Sequence, residues 1–179
     1  MKTYIALLRG INVGGQKKIK MAELRKALST RTLQNVQTYI QSGNIVLQSE
    51  QEIPHSISDE IHTIIYKSFG FEVPVLVVTS EEIQQILKNN PFADQEEDNR
   101  LYFVLLKQEP LEQLVEEFNQ LSFENEDFHI APNCVYLRCK IGYGNAKLST
   151  NLIEKKLAVE ATARNLRTLQ KLLALSEIQ

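Results

Sequence analysis

The sequence lacks an excess of charge of either sign. Its 20 basic residues stand against 22 acidic ones, and the formal net charge is -2 at pH 7. No overall positive field exists to attract nucleic acid, so any basic surface must be local. The charge balance therefore argues against a nucleic-acid partner.

Long apolar runs are missing, and so is a charged leader followed by an apolar segment. No stretch approaches the roughly 20 apolar residues that a membrane-spanning helix needs. The sequence therefore predicts a cytoplasmic protein with no membrane partner. Hydrophobic residues make up 43% of the chain and charged residues 23%, which is the balance of a folded globular protein rather than a disordered one.

Cysteine is scarce, with only Cys134 and Cys139 present. The two residues lie an odd number of positions apart on one predicted strand, so their side chains should face opposite sides of a sheet. This arrangement excludes a disulfide between them and a shared metal ion. We therefore expect two packed, reduced cysteines.

Metal-binding side chains do not gather convincingly elsewhere. His55, Asp59 and His62 have spacings that suit one helix face, but isoleucines occupy the buried side of that predicted helix. Ser56 and Asp59 also fit a capping box, which would place His55 before the helix. The sequence therefore predicts no metal and no cofactor.

The apolar patterns predict the order β-α-β-β-α-β twice, with one further helix after each set. This order is the ferredoxin-like pattern, so the predicted fold class is α+β with two ferredoxin-like halves in tandem. We expect the halves at residues 1–92 and 100–179, joined by an acidic connection at 93–99. The predicted strands cover residues 3–8, 36–40, 45–47, 73–78, 101–106, 128–130, 135–138 and 159–163.

A loop rich in glycine and lysine follows the first predicted strand. Exposed backbone N–H groups and nearby cations are what many proteins present to an anion. The loop lacks the Gly-Lys-Ser/Thr ending and the G-x-G-x-x-G spacing, so nucleoside triphosphate or dinucleotide binding is not indicated. The alternative is that the glycines only permit unusual backbone angles and that the lysines form a solvated face.

Strand order places a second loop beside the first. The first and third strands of a ferredoxin-like unit are neighbours, so residues 41–44 should lie at the same sheet edge as residues 10–18. Together the two loops offer guanidinium, ammonium, amide and hydroxyl donors to an anion. The predicted ligand-binding residues here are Arg9, Gly10, Asn12, Gly14, Gly15, Lys18, Lys20, Gln41, Ser42, Gly43 and Asn44.

A second candidate set lies near the end of the chain. It begins with Gly142-Tyr143-Gly144, and its predicted ligand-binding residues are Lys147, Thr162, Arg164 and Asn165. The alternative is a turn plus a helix cap, in which Thr162 or Asn165 caps the last helix and Arg164 pairs with a surface carboxylate.

Several motifs resemble the bacterial protein family known as DUF1697. They are Leu-Arg-Gly-Ile-Asn-Val-Gly-Gly at residues 8–15, Lys20-Met21 with Leu24, and Thr-Tyr-Ile-Gln-Ser-Gly-Asn at residues 38–44. Asn90-Pro91-Phe92, Lys147 and residues 162–165 are similar to later motifs of the family. The resemblance implies an α+β protein with ferredoxin-like halves, and it implies no activity because the family's function is unknown. Where the family often has tryptophan, this chain has Leu166.

Three classes of function follow from these patterns. The first is binding of a small anionic, phosphate- or carboxylate-bearing molecule, with Arg9 and Lys18 as charged clamps. The second is an RNA-binding module in which Tyr4 and Tyr39 stack on bases, although the RNP1 pattern is absent. The third is a protein-interaction role without a small ligand. The patterns identify no catalytic acid, base or nucleophile, so they leave open whether the protein is an enzyme.

Overall fold

A computed structural model describes residues 1–94 and 100–178, so most of the predicted acidic connection lies outside the described residues. The chain divides into two compact units, one formed by Met1–Gln84 with Lys171–Gln179 and the other by Gln85–Gln170. The described residues form two four-stranded sheets and six α-helices. The predicted α+β class is therefore confirmed.

The sheet of the first unit contains four antiparallel strands in the order β2-β3-β1-β4. The strands are β1 (Lys2–Leu8), β2 (Leu33–Tyr39), β3 (Asn44–Ser49) and β4 (Val75–Thr79), with helices α1 (Met21–Leu28) and α2 (Pro54–Phe69) between them. Helix α3 (Ser80–Lys88) follows β4 without an intervening residue. Strand β1 thus lies between β3 and β4.

The core of the first unit follows from alternation along β1. Tyr4, Ala6 and Leu8 belong to one apolar cluster, together with Leu24 of α1 and Ile61 of α2. Because strand side chains alternate, the intervening residues of β1 face the other side of the sheet, and they are fully buried as well. Both faces of β1 are therefore covered.

Helix α2 begins earlier than the sequence predicts. Its first residue is Pro54, its N-cap is Ile53, and that cap makes no side-chain hydrogen bond. The predicted capping box at Ser56 is therefore wrong, and His55 lies inside the helix with Nε2 3.5 Å from Oδ2 of Asp59. Proline favours this start because its fixed φ suits the first turn, where the missing N–H costs nothing.

Helix α3 is preceded by a threonine, and a glutamate lies three residues after that threonine, which is the residue pattern of a capping box. The backbone N–H of Glu82 donates to Oγ1 of Thr79 at 3.2 Å, and the N–H of Thr79 donates to Oε2 of Glu82 at 2.7 Å. This reciprocal pair is a capping box. It turns the chain from β4 directly into α3.

The second unit repeats the sheet arrangement, with the antiparallel strand order β6-β7-β5-β8. The strands are β5 (Leu101–Leu106), β6 (Glu126–Ala131), β7 (Cys134–Cys139) and β8 (Ala161–Asn165), and the helices are α4 (Glu112–Asn119) and α5 (Thr150–Leu157). Helix α6 (Leu166–Ser176) begins in this unit, and its residues from Lys171 onward belong to the first unit. Val104, Leu137 and Phe118 are fully buried in its apolar cluster. Helix α4 begins two residues after Pro110, and proline is a residue type that favours the start of a helix.

Both cysteine thiols should be unreactive in the folded protein, because Cys134 and Cys139 are free and buried. Burial raises the pKa of the Cys134 thiol far above its usual range, and burial with the nearby Glu126 raises that of Cys139 to about 11. Since the thiolate is the reactive form, Ellman's reagent at pH 8 should label neither residue in the native protein and both in urea. Rapid labelling of the native protein would contradict the buried placement.

The same shifts predict a loss of stability at high pH. The unfolded chain ionises its thiols from about pH 8.5, whereas the folded chain keeps Cys139 protonated up to about pH 11. The unfolded state therefore loses protons first, and the free energy of unfolding should fall as the pH rises through this window. Urea denaturation of Cys139→Ala should show a shallower fall than the parent chain.

Candidate functional site

The loop rich in glycine and lysine forms a small hairpin of residues 12–17, here called the glycine hairpin. Val13 and Gln16 form an isolated β-bridge, and the N–H of Gln16 donates to the carbonyl of Val13 at 3.0 Å. Gly14 and Gly15 have φ values of 58° and 77°. Two successive positive φ values define a type I′ turn, for which Gly-Gly is well suited. The two glycines therefore form an exposed tip.

Asn12 attaches the glycine hairpin to its surroundings. Its Nδ2 donates to the carbonyls of Ile19 at 3.0 Å and Gln41 at 2.8 Å, and its Oδ1 accepts from the N–H of Ile19 at 2.9 Å. The side chain thus holds the hairpin base against the connection between β2 and β3. A contact between Asn12 and a ligand stays a prediction.

The connection between β2 and β3 lies beside the end of β1, as strand order predicts. The N–H of Leu8 donates to the carbonyl of Gly43 at 2.8 Å. Gly43 has a φ of 78°, and a Cβ built there would lie 2.5 Å from Cβ of Leu8. Only glycine permits this approach of the two chain segments.

Asn44 fixes the connection from within. The residue is completely buried, and its Nδ2 donates to the carbonyl of Tyr39 at 3.1 Å and to Oγ of Ser42 at 2.9 Å. Gln41 and Ser42 are exposed, so the outer part of the connection faces solvent. In this connection, Gly43 and Asn44 are therefore buried residues that support the loop, and Gln41 and Ser42 are the residues exposed to solvent.

The lysines of the loop occupy different environments. Lys17 donates from Nζ to the carbonyl of Glu72 at 2.7 Å, and Nζ of Lys20 lies 3.7 Å from Oε1 of Glu23 on the surface. Lys18 is exposed, and a Cβ built on Gly15 would lie 4.0 Å from its Cε. Lys18 is therefore the cation placed beside the hairpin tip.

Unusual backbone angles concentrate around this loop. Asn12, Lys17 and Ile40 have φ values of 54°, 44° and 49°. Positive φ costs roughly 1–2 kcal/mol for residues other than glycine, and it is most unusual for a β-branched residue such as isoleucine. Such strain is concentrated at functional sites in many proteins, so it supports a functional interpretation of this region.

The second candidate set is built around a buried guanidinium. Arg164 on β8 is 9% exposed, and its Nη1 donates to Oγ1 of Thr162 and to the carbonyl of Ala163, each at 2.8 Å. Burial lowers the pKa of Arg164 to about 10, which still leaves it charged at neutral pH. The alternative of a surface ion pair does not fit this buried position.

The other members of the second set make contacts within the protein. Oδ1 of Asn165 accepts from the N–H of Thr168 at 2.8 Å, so Asn165 caps α6 as the alternative interpretation holds. Lys147 is exposed, and its backbone N–H donates to Oε1 of Glu126 at 2.8 Å. The ring of Tyr143 stacks on Tyr102 with centroids 4.4 Å apart.

Lys17 and Ile40 contribute to the structure of the loop region around the glycine hairpin, although the sequence does not predict it. No residue-type signal marks a positive φ at lysine or isoleucine, and the acceptor of Lys17 lies 55 positions along the chain. Among the described residues, no three metal-binding side chains form a group that could hold an ion. No described helix has the length and apolar character needed to cross a membrane.

Comparisons with known proteins identify the family and the fold. Residues 1–136 match the family described as protein of unknown function (DUF1697). The chain is similar to the solved structure of the conserved bacterial protein SP0830 from Streptococcus pneumoniae, with a TM-score of 0.71 and 24% sequence identity over 97% of this chain and 98% of that one. At this identity the likeness shows the fold alone. No curated protein sequence matches the chain significantly.

Proposed function

Since the chain belongs to the DUF1697 family, whose function is unknown, we propose a function from the glycine hairpin itself: the hairpin binds a small anionic molecule that carries phosphate or carboxylate groups. The observation that carries this proposal is a set of exposed backbone donors. Gly10, Gly14 and Gly15 are exposed residues, and in the described part of the chain their N–H groups donate no hydrogen bond to the protein. Backbone N–H groups in tight turns of this kind bind anions.

The charges around the hairpin suit this proposal. Lys18 lies against Gly15, so its ammonium group can reach an anion held at the tip. Arg9 and Ser42 belong to the segments that meet beside the hairpin, and they complete the proposed set of donors. An ammonium acts as a point charge and a guanidinium as a planar fork, so together they suit a multi-oxygen anion.

Removal of the Lys18 charge tests the proposal. In calorimetric titrations with pyrophosphate and with citrate, Lys18→Ala should weaken binding on the order of tenfold, as expected for loss of a charge-assisted hydrogen bond. Lys26→Ala is the matched control, because Lys26 is an exposed lysine on α1 that lies outside the hairpin. No binding by the parent chain, or equal weakening by both substitutions, would refute the proposal.

The RNA-binding alternative loses one of its two proposed stacking rings in the first unit. Tyr4, which it needs as a stacking surface, is 1% exposed and donates from its hydroxyl to the carbonyl of Gln51 at 2.8 Å. Bases stack on an open sheet face, and both faces of β1 are buried. We therefore prefer the anionic ligand.

Finer assignments also belong to the proposal. We assign both units to the ferredoxin-like pattern, which the strand orders β2-β3-β1-β4 and β6-β7-β5-β8 support. We also propose a cytoplasmic location and boundaries of the halves near residues 92 and 100. Ligand contacts by Gln41, Gly43 or the second candidate set are proposed only on the sequence patterns.

A further inference from the structure

We propose that a cleft beside β6 in the second unit binds an extended segment of a partner protein, in which the side chains that face α4 are apolar and basic in turn. The segment would lie along β6 as an added strand. The cleft has a volume of about 420 Å³ between the start of α4 and the end of β6. It is lined by Glu109, Pro110, Glu112, Val115, Ile130, Ala131 and Pro132. This inference is independent of the glycine hairpin, which belongs to the first unit.

Strand β6 has the most regular edge of the four terminal strands in the two sheets. Strand β2 is interrupted between Gln34 and Gln37, where Asn35 has a φ of 51°, and bulges of this kind blunt an edge. Strands β4 and β8 are five residues long and run directly into helices. Strand β6 pairs with β7 in unbroken register over six residues.

The register of β6 determines which backbone groups face outward. The N–H of Lys140 donates to the carbonyl of Asn125 at 2.9 Å, so this pair is hydrogen-bonded across the ladder. In an antiparallel ladder the hydrogen-bonded pairs alternate. The N–H and C=O groups of Phe128 and Ile130 must therefore point away from β7, toward the open edge. Those groups are the ones that an added strand would pair with.

The side chains that line the cleft determine which side chains of a bound segment would complement it. Val115, Ile130 and Pro110 provide apolar walls, and Leu111 at the N-cap of α4 is 72% exposed. Glu109 and Glu112 are exposed carboxylates of the cleft, and they make no ion pair in the described part of the chain. Helix α4 carries no basic residue. In an added strand every second side chain faces the same side, so a segment that carries lysine or arginine two positions from an apolar residue would match both the apolar walls and the charge of the cleft.

The test uses the full chain and two fluorescently labelled hexapeptides, Lys-Thr-Val-Thr-Lys-Thr and Glu-Thr-Val-Thr-Glu-Thr, called the lysine and the glutamate peptide, in which the charged and apolar side chains share one face of the strand. Fluorescence anisotropy at low salt should show binding of the lysine peptide and at least about tenfold weaker binding of the glutamate peptide. Glu109→Lys with Glu112→Lys should weaken binding of the lysine peptide about tenfold. The control, Glu50→Lys with Glu72→Lys, makes the same charge change at two exposed residues of the first unit and should leave the affinity within about twofold.

Strand addition is tested separately by N-methylation of alternate residues of the lysine peptide. In an added strand, the N–H groups of every second residue point toward β6 and the others point away. Methylation of the N–H groups that point toward β6 should weaken binding by at least about tenfold. Methylation of the other N–H groups should have little effect. Equal effects of the two methylated peptides would overturn the proposal. Equal affinity for both hexapeptides would overturn it too, and so would an absence of peptide binding. If the peptides do not bind and the chain self-associates in a way that Glu109→Lys with Glu112→Lys abolishes, the occupant of the cleft is a second copy of the chain.

Discussion

Gly43→Ala is expected to destabilise the protein by about 3 kcal/mol, or to prevent the first unit from folding. The substitution adds a Cβ 2.5 Å from Cβ of Leu8, at a residue whose φ is 78°. Left-handed strain costs roughly 1–2 kcal/mol and overpacking of a tight contact a further 1–3 kcal/mol. Relief of the clash would require β1 and β3 to separate, which would break the hydrogen bond from Leu8 to Gly43. Urea denaturation measures the loss.

Gly70→Ala provides the matched control for this prediction. Gly70 ends α2 with a φ of 79°, and a Cβ built there meets no heavy atom within 4 Å. The two glycines thus share the backbone strain but not the clash. Gly70→Ala should cost about 1 kcal/mol. Equal losses at the two positions would show that β1 and β3 approach each other less closely than the structure indicates.

Asn12→Ala is expected to lower the free energy of unfolding by about 2–4 kcal/mol. It removes the two hydrogen bonds donated by Nδ2 and the one accepted by Oδ1, and it leaves the carbonyl and N–H of Ile19 without this partner. A net contribution of roughly 1 kcal/mol for each bond gives this range. Alanine is also less tolerant than asparagine of a φ of 54°. Urea denaturation measures the change.

Asn35→Ala is the control that separates the contribution of the Asn12 hydrogen bonds to stability from the strain of a positive φ. Asn35 is exposed, has a φ of 51°, and donates from Nδ2 to Oε1 of Gln48. Its replacement should cost about 1 kcal/mol, mostly from strain. If Asn12→Ala costs no more than Asn35→Ala, the attachment of the glycine hairpin through Asn12 is not an important source of stability.

The fold was largely predictable because the elements follow clear local patterns. Strand β5 has the predicted limits, and the capping box of α3 is formed by Thr79 and Glu82 as the residue types indicate. The start of α2 was not predicted, because Ser56 and Pro54 both signal a helix N-terminus and only the proline is used. When two residues both signal a helix start, tertiary packing decides between them, and a single sequence contains no direct information on packing.

The candidate site was predictable only in outline. The type I′ turn at Gly14 and Gly15 follows from residue type, and the adjacency of the two loops follows from strand order. The bond from Asn12 to Gln41 spans 29 positions, so no local pattern could reveal that this asparagine supports the loop. The burial of Arg164 could not be predicted either, since arginine is usually exposed.

The division of the chain into units determines which gene fragments encode a complete unit. The two boundaries, after Gln84 and after Gln170, fall inside α3 and α6. A gene fragment that ends at residue 92 would encode most of the first unit but omit its C-terminal segment, which begins at Lys171. The first unit is therefore not collinear with any single stretch of the gene. A circularly permuted gene that places the segment from Lys171 ahead of Met1, through a linker, would encode the first unit without interruption.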